Sequence, residues 1–323
     1  MLFYFISSLS TESIHSSFKN SLFIVGVGGS QNTTDSSTNL QSTCKWVAPF
    51  SKKDFLSYYP CQPFLNKRSK SSKVNREFNL EQGLKNVPRS ALSLLDDFNS
   101  VEIFNSIFKN DCSSCVVVGS GGNLRQKKLG RLIDSYDIVI RMNSAPIRGY
   151  EEDVGKRTTV RISYPEGSSA RDELYFDNIH KPLFFSVLFK PQDLTWTMQI
   201  ARKNTTINER LYWKRVPLLI PSLNISSYFI MNPEFLHLIR KEMGQKARRP
   251  TIGTVAIVLA LKLCTKVDVA GFGFRPQDKN DYLYYYGNLK IGPKMLYGPH
   301  DTNIESAYRE SLFKAELLYC LVF

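Results

Sequence analysis

Residues Cys115 to Gly155 read CVVVGSGGNLRQKKLGRLIDSYDIVIRMNSAPIRGYEEDVG. The apolar, β-branched run Val116-Val117-Val118 suits a strand buried within a parallel sheet. It breaks into Gly119-Ser120-Gly121-Gly122, and a helical pattern follows from Leu124 to Ile133. A strand that enters a glycine-rich turn and then a helix presents a nest of backbone N–H groups, a site for phosphate or another anion. Taken alone, the glycines fit a tight turn equally well. A second strand, Tyr136 to Met142, ends on Arg141-Met142-Asn143. Two strand ends with polar groups thus lie within one short α/β unit, and ligands in open α/β sheets sit at such ends.

A dinucleotide-binding fingerprint, and with it an NAD-dependent enzyme, fits this unit poorly. Its third glycine would fall at Leu124. The acid that should end the second strand is missing: Asp137 lies at its start and Asn143 at its end.

Further strands are expected at Thr159 to Ser163, Leu183 to Phe189, Tyr228 to Met231 and Val267 to Ala270. Helical patterns lie between them, at Asp193 to Arg202, Pro233 to Met243 and Thr254 to Cys264, with a last helix from Asn303 to Tyr319. Alternation of this kind predicts a mostly parallel sheet with helices on both faces. Upstream, residues 1–45 are rich in Ser, Thr and Asn and read as a stem or disordered segment. Residues 46–111 form a variable part with a helix expected near Ser90 to Phe98, and the α/β domain proper spans 112–323.

The 323 residues carry 42 Lys and Arg against 29 Asp and Glu, a formal charge of +13 that favours anionic partners. The basic residues are scattered, and no nucleic-acid-binding signature or zinc-finger spacing occurs, so nucleic acid is not an expected partner. Six cysteines (Cys44, Cys61, Cys112, Cys115, Cys264 and Cys320) and sequons at Asn32, Asn204 and Asn224 favour an oxidising lumen. Cys112 and Cys115 form a lone CxxC, and without a second pair zinc is not expected. The apolar stretches Met1 to Leu9 and Leu22 to Val27 fall short of the ~18 residues that span a bilayer.

The opening segment resembles sialyl motif L of the eukaryotic sialyltransferases, glycosyltransferase family 29. The pieces that carry the likeness are Cys115 to Gly119, Arg141 to Pro146, Gly149 to Gly155 and Thr158-Thr159. Pro250-Thr251-Ile252-Gly253, an apolar helix to Cys264 and Val267 to Phe274 (VDVAGFGF) resemble motif S. His300 and Glu305 match the very short motif. The strings YPEG, VLFK, NSAP, PTIG and AGFGF look most similar to the β-galactoside α2,3-sialyltransferases, the lactosylceramide branch among them.

The resemblance implies one Rossmann-like α/β domain, a variant of the GT-A arrangement. It implies transfer of sialic acid from CMP-sialic acid to the 3-hydroxyl of a terminal galactose on a glycolipid or glycoprotein, with inversion. No cofactor is implied. No Asp-x-Asp pair occurs in the chain, and the donor has a single phosphate, so metal-independent transfer is expected. The family implies a Golgi lumenal domain and membrane association. A non-catalytic relative that binds CMP or sialosides is the alternative.

Residue by residue, the resemblance makes His300 the general base, with Glu305 orienting the histidine or its helix. It sets Gly119, Ser120, Gly121, Asn143 and Tyr164 beside the nucleotide, with Ser120 where the family more often has Asn. Thr251, Gly253 and Gly271 are implied in donor binding through motif S. The family's third motif, usually His-Tyr-x-Asp/Glu, reads Tyr284-Tyr285-Tyr286-Gly287 here, so Tyr284 stands where a histidine usually faces the phosphate. The family also implies a Cys115–Cys264 disulfide. Cys112 is then expected to pair upstream, with Cys61 in preference to Cys44, and Cys320, for which the family has no counterpart, is expected to be free.

Overall fold

The computed structural model describes residues 101–108, 113–169, 182–203, 207–220, 225–244, 247–273, 282–290 and 300–322. The expected stem, the helix near Ser90 to Phe98, the three sequons and Cys44, Cys61 and Cys112 lie outside them.

Among the described residues a seven-stranded sheet has the order β5-β4-β3-β2-β1-β6-β7, and every neighbouring pair is parallel. The strands are β1 Ser114–Val118, β2 Ile138–Met142, β3 Val160–Ser163, β4 Leu183–Ser186, β5 Tyr228–Ile230, β6 Lys266–Ala270 and β7 Tyr319–Cys320. From β1 to β5 the chain winds outward in one direction; it then returns to lay β6 and β7 on the other side of β1. The reversal between β1 and β6 is a topological switch point, where open α/β sheets form a crevice outside their carboxyl ends.

Helices cover both faces. On one, Cys115 and Val117 of β1, Ile140 of β2 and Phe185 of β4 share a core with α1 Val101–Ile107, α5 Pro233–Met243, α6 Ile252–Leu263 and α7 Thr302–Lys314. On the other, Val116, Val118 and Val139 pack with α2 Gly130–Asp134 and α3 Glu151–Val154, while Phe184 and Tyr228 pack under α4 Pro191–Ala201. Consecutive residues of β1 therefore enter opposite cores, which is why its sequence runs apolar without alternation. Nine of the twelve residues of α6 are buried, so this helix is apolar almost all round and fills the centre of its layer. Its C-terminal neighbour Cys264 is joined to Cys115 of β1 by a disulfide with a Cα separation of 5.9 Å, and Cys320 is a free thiol.

The single parallel α/β domain agrees with the sequence reading; several boundaries do not. The helix expected over Leu124 to Ile133 is a short 3-10 turn, Gly122–Leu124, and a separate α2. Between them the distant Asp153 carboxylate accepts from the amides of Gln126 and Lys128, which hold positive φ, and these bonds replace the helical ladder there. β4 stops at Ser186 rather than Phe189, because Asp193 caps α4 by accepting from the Phe189 and Lys190 amides. The last helix ends at Lys314, and the chain turns through Glu316, at positive φ, into the edge strand β7.

Candidate active site

The crevice at the switch point is a cavity of about 470 Å³. All eleven residues singled out from the sequence line it: Gly119, Ser120 and Gly121 after β1; Asn143 and Tyr164 after β2 and β3; Thr251, Gly253 and Gly271 around α6 and β6; and Tyr284, His300 and Glu305.

The glycine turn does not form the expected anion nest. The Gly119 amide donates to Ala270 O (2.7 Å), Gly121 to Gly271 O (3.0 Å) and Gly122 to Leu283 O (3.1 Å). The turn following β1 is thereby sewn to the turn following β6. A Cβ on Gly119 or Gly121 would come within 2.4 or 2.5 Å of Gly271 O, so these glycines serve close approach of two backbones. Ser120, between the bonded glycines, lines the cavity.

The same turn holds the tyrosine loop. Ser120 O accepts from the Tyr285 amide at 3.0 Å. Arg125 donates to Tyr284 O (3.0 Å) and Gly287 O, and lies over the Tyr282 ring. Tyr284 stacks on Tyr286 with ring centroids 5.1 Å apart, while Tyr285 is buried and donates to Pro146 O. Burial raises the Tyr284 phenol above its ordinary pKa. Burial, with the Glu166 charge adding to it, pushes Tyr164 up to about 12. Both phenols keep their protons near neutral pH and so act as hydrogen-bond donors.

Asn143 stands at the end of β2 in the left-handed region, φ 49°, which asparagine tolerates better than most side chains. Its carbonyl accepts from the buried Arg161 of β3 at 2.7 Å, and its amide donates to Ile162 O at 2.8 Å. Its side-chain oxygen accepts a long bond, 3.5 Å, from Ser163 Oγ, which leaves the NH₂ group for the cavity. Outside the cavity lining, two residues along the chain from Tyr164, Glu166 meets Lys190 Nζ at 2.9 Å, and Lys190 Nζ meets Asp193 at 2.6 Å. Burial raises the Asp193 carboxyl above its usual range even though Lys190 opposes the shift.

His300 precedes α7, and its Nδ1 lies 2.9 Å from Arg249 O. A carbonyl only accepts, so Nδ1 carries the proton in the neutral ring and Nε2 keeps the free lone pair. Glu305, one turn into α7, does not bond to the histidine. Its carboxylate is buried and accepts from the Thr251 amide (2.9 Å) and from the Thr251 and Thr254 hydroxyls. It therefore ties α7 to the N-terminus of α6, where the helix dipole favours a negative charge.

Arg309, one turn beyond Glu305, was not anticipated from the sequence. Among the described residues lining the cavity it is the one Lys or Arg side chain. It donates to Ser306 Oγ at 2.9 Å and sits 5.9 Å from the Phe272 ring centroid. Desolvation lowers its pKa, against Glu305 and Glu310, which raise it. The readable signal was its spacing: four residues after Glu305 on one helix brings it to the same face. Among the described residues no three His, Cys, Asp or Glu side chains converge as a metal site.

Comparison with known proteins fits this arrangement. The family description "Glycosyltransferase family 29 (sialyltransferase)" matches residues 64–317. The chain is 34% identical to a type 2 lactosamine α-2,3-sialyltransferase of Mus musculus over 277 residues, covering 82% of each chain. It is 32% identical to a lactosylceramide α-2,3-sialyltransferase of Pan troglodytes, covering 78% of this chain and 72% of that one. A crystal structure of a mammalian sialyltransferase superposes with a TM-score of 0.67 at 24% identity, covering 87% of this chain and 98% of the other. That likeness concerns the fold.

Proposed function

The chain belongs to glycosyltransferase family 29, the sialyltransferases, and from that premise we propose that it moves sialic acid from CMP-sialic acid to the 3-hydroxyl of a terminal galactose. The observation that carries the assignment of roles is the His300 tautomer, set by Arg249 O in a cavity that also gathers Asn143, Tyr164 and Tyr284. His300 Nε2 takes the proton of the galactose hydroxyl as its oxygen attacks the anomeric carbon. The bond from that carbon to the CMP phosphate breaks, and attack from the opposite side inverts the centre.

The protonated Tyr284 phenol donates to the departing phosphate, in place of the histidine more common in the family. A phenol supplies a hydrogen bond without the positive charge, and Arg309 supplies charge in the same cavity. Asn143, Ser120 and Tyr164 hold the nucleotide. Thr251 and Gly253 belong with its uncharged nucleoside part, because Glu305 already places a carboxylate at the α6 N-terminus. Gly119, Gly121 and Gly271 keep the floor thin enough for the donor to enter. Leaving-group chemistry on a single phosphate needs no bridging cation, so transfer is metal-independent. The Cys115–Cys264 disulfide supports a lumenal Golgi location, since such bonds persist in oxidising compartments.

The test is to incubate the purified protein with CMP-sialic acid and galactosides, lactosylceramide among them, and to read the product linkage by NMR. A sialylated product linked at galactose O3 is the expected result. CMP binding without any transfer would instead mark a non-catalytic relative. Loss of rate with EDTA, restored by manganese, would exclude the metal-free reading.

A further inference from the structure

The segment Asn208 to Arg215 carries an exposed apolar tip that the cavity does not use. Leu211 is 49% exposed and Trp213 74% exposed. Tyr212 between them is extended, φ −118° and ψ 143°, and only half-buried, so the three side chains leave the end of a short 3-10 turn together. The tip is held in place. Tyr212 donates to Gln192 O at 2.8 Å, Asn208 caps the turn before it, and Val216 behind it is buried. Arg210, Lys214 and Arg215 flank it, all exposed, against Glu209 alone; the Arg215–Glu209 pair, 3.5 Å, is solvated and weak.

We propose that this tip docks the protein on an anionic lipid bilayer, with Leu211 and Trp213 entering the headgroup region and the three cations meeting lipid phosphates and carboxylates. Tryptophan settles at that depth because its ring is apolar and its N–H polar. Two apolar side chains are too few to make the core of a stable protein interface, which takes about 20–30 residues a side. They suffice for shallow insertion when basic residues add attraction to a negative surface. The chain's formal charge of +13 acts in the same direction.

The tip is tied to the cavity's surroundings in steps: Lys190 lies 4.9 Å over the Tyr212 ring and bonds to Glu166, two residues from the cavity-lining Tyr164. Docking would hold the protein at a membrane that carries its acceptor, which suits a galactose-terminated glycolipid. This last step rests on the sialyltransferase reading above; the docking itself does not.

The experiment compares the full-length wild type with Leu211→Ser/Trp213→Ser and Trp213→Phe on phosphatidylcholine vesicles with and without phosphatidylserine. Wild type should sediment with the serine-containing vesicles, and the double variant about ten-fold less tightly or worse. Brominated lipid should quench a fluorescence component that Trp213→Phe removes. Equal binding of wild type and double variant, absent Trp213 quenching, or indifference to phosphatidylserine would each overturn the proposal. So would a double variant that differs only in self-association without lipid, which would make the tip a contact between copies. In a transfer assay the double variant should keep the wild-type rate on soluble lactoside and lose rate on lactosylceramide in vesicles. If wild type binds vesicles but transfers to neither acceptor, the docking stands and the enzymatic reading falls.

Discussion

His300, just before α7, and Arg309, in its third turn, both line the cavity, and the proposed mechanism gives them different work. A base that touches the acceptor is dispensable for nucleotide binding. His300→Ala should therefore lower kcat on the order of 10²-fold or more while calorimetry finds CMP bound nearly as before. Turnover close to wild type would remove His300 from the role. Arg309 should behave in the opposite way. If it faces the donor's anionic oxygens, Arg309→Gln weakens donor binding by roughly 1.5–3 kcal/mol, the worth of a hydrogen bond to a charged group. The weakening should appear with CMP-sialic acid or CMP and vanish with cytidine, which carries neither charge. An equal loss on cytidine would mean that Arg309 supports the Phe272 side of the cavity rather than meeting an anion.

Pairs of elements are where the sequence was hardest to read. α5 at Pro233–Met243 matches the sequence reading residue for residue, and β2 ends at Met142 as read but starts at Ile138 rather than Tyr136. The strand is apolar apart from Arg141, and the helix opens with Asn232 as its cap and Pro233 behind it. The break after Leu124 was not legible, because its cause is the Asp153 carboxylate, 25 and 27 residues away along the chain from the amides it binds. The same holds for the glycine turn, whose amides meet β6 and the tyrosine loop instead of a ligand. The α5–α7 contact is likewise non-local: Tyr308 donates to Glu242 at 2.9 Å. Burial pushes Glu242 up to about 7 from an ordinary 4.5, although the tyrosine bond opposes it. The fold thus holds this proton more tightly than the unfolded chain. Its contribution is fully present below about pH 4.5 and is lost as the pH rises through about 7. Glu242→Gln should then gain stability over wild type by up to roughly 3 kcal/mol above neutral pH and almost nothing in acid. Urea melts at the two pH values check this, and a gap that does not widen with pH would refute the buried-acid explanation.

For the molecule as a whole, α6 is fixed at both ends: Glu305 grips its N-terminus and the Cys115–Cys264 disulfide its C-terminal side. The bond spans 149 residues, so the chain-entropy account gives it about 5 kcal/mol as an upper, model-dependent figure. Cys115→Ser/Cys264→Ser should unfold at lower urea by an amount within that bound. It should also lose donor affinity, because the turn after β1 and the start of α6 both line the cavity. A variant with unchanged stability would show that core packing alone holds the two together. The family motifs made the cavity's membership legible in the sequence; its electrostatics were not, since Arg309, Arg161 and the Lys190–Glu166–Asp193 cluster owe their places to tertiary packing.

Because β1 lies between β2 and β6, the middle of the sheet waits for the end of the chain to be made. At roughly 5–20 residues per second, translation separates Cys115 from Cys264 by about 7–30 s. Through that interval one side of the nascent β1 is bare and its thiol has no mate, while Cys44, Cys61 and Cys112 have already emerged. Ribosome-stalled chains stopped before residue 264 should accumulate small covalent rings among these four cysteines, visible on non-reducing gels. Maturation would then be timed by thiol exchange that undoes such rings, and not by hydrophobic collapse.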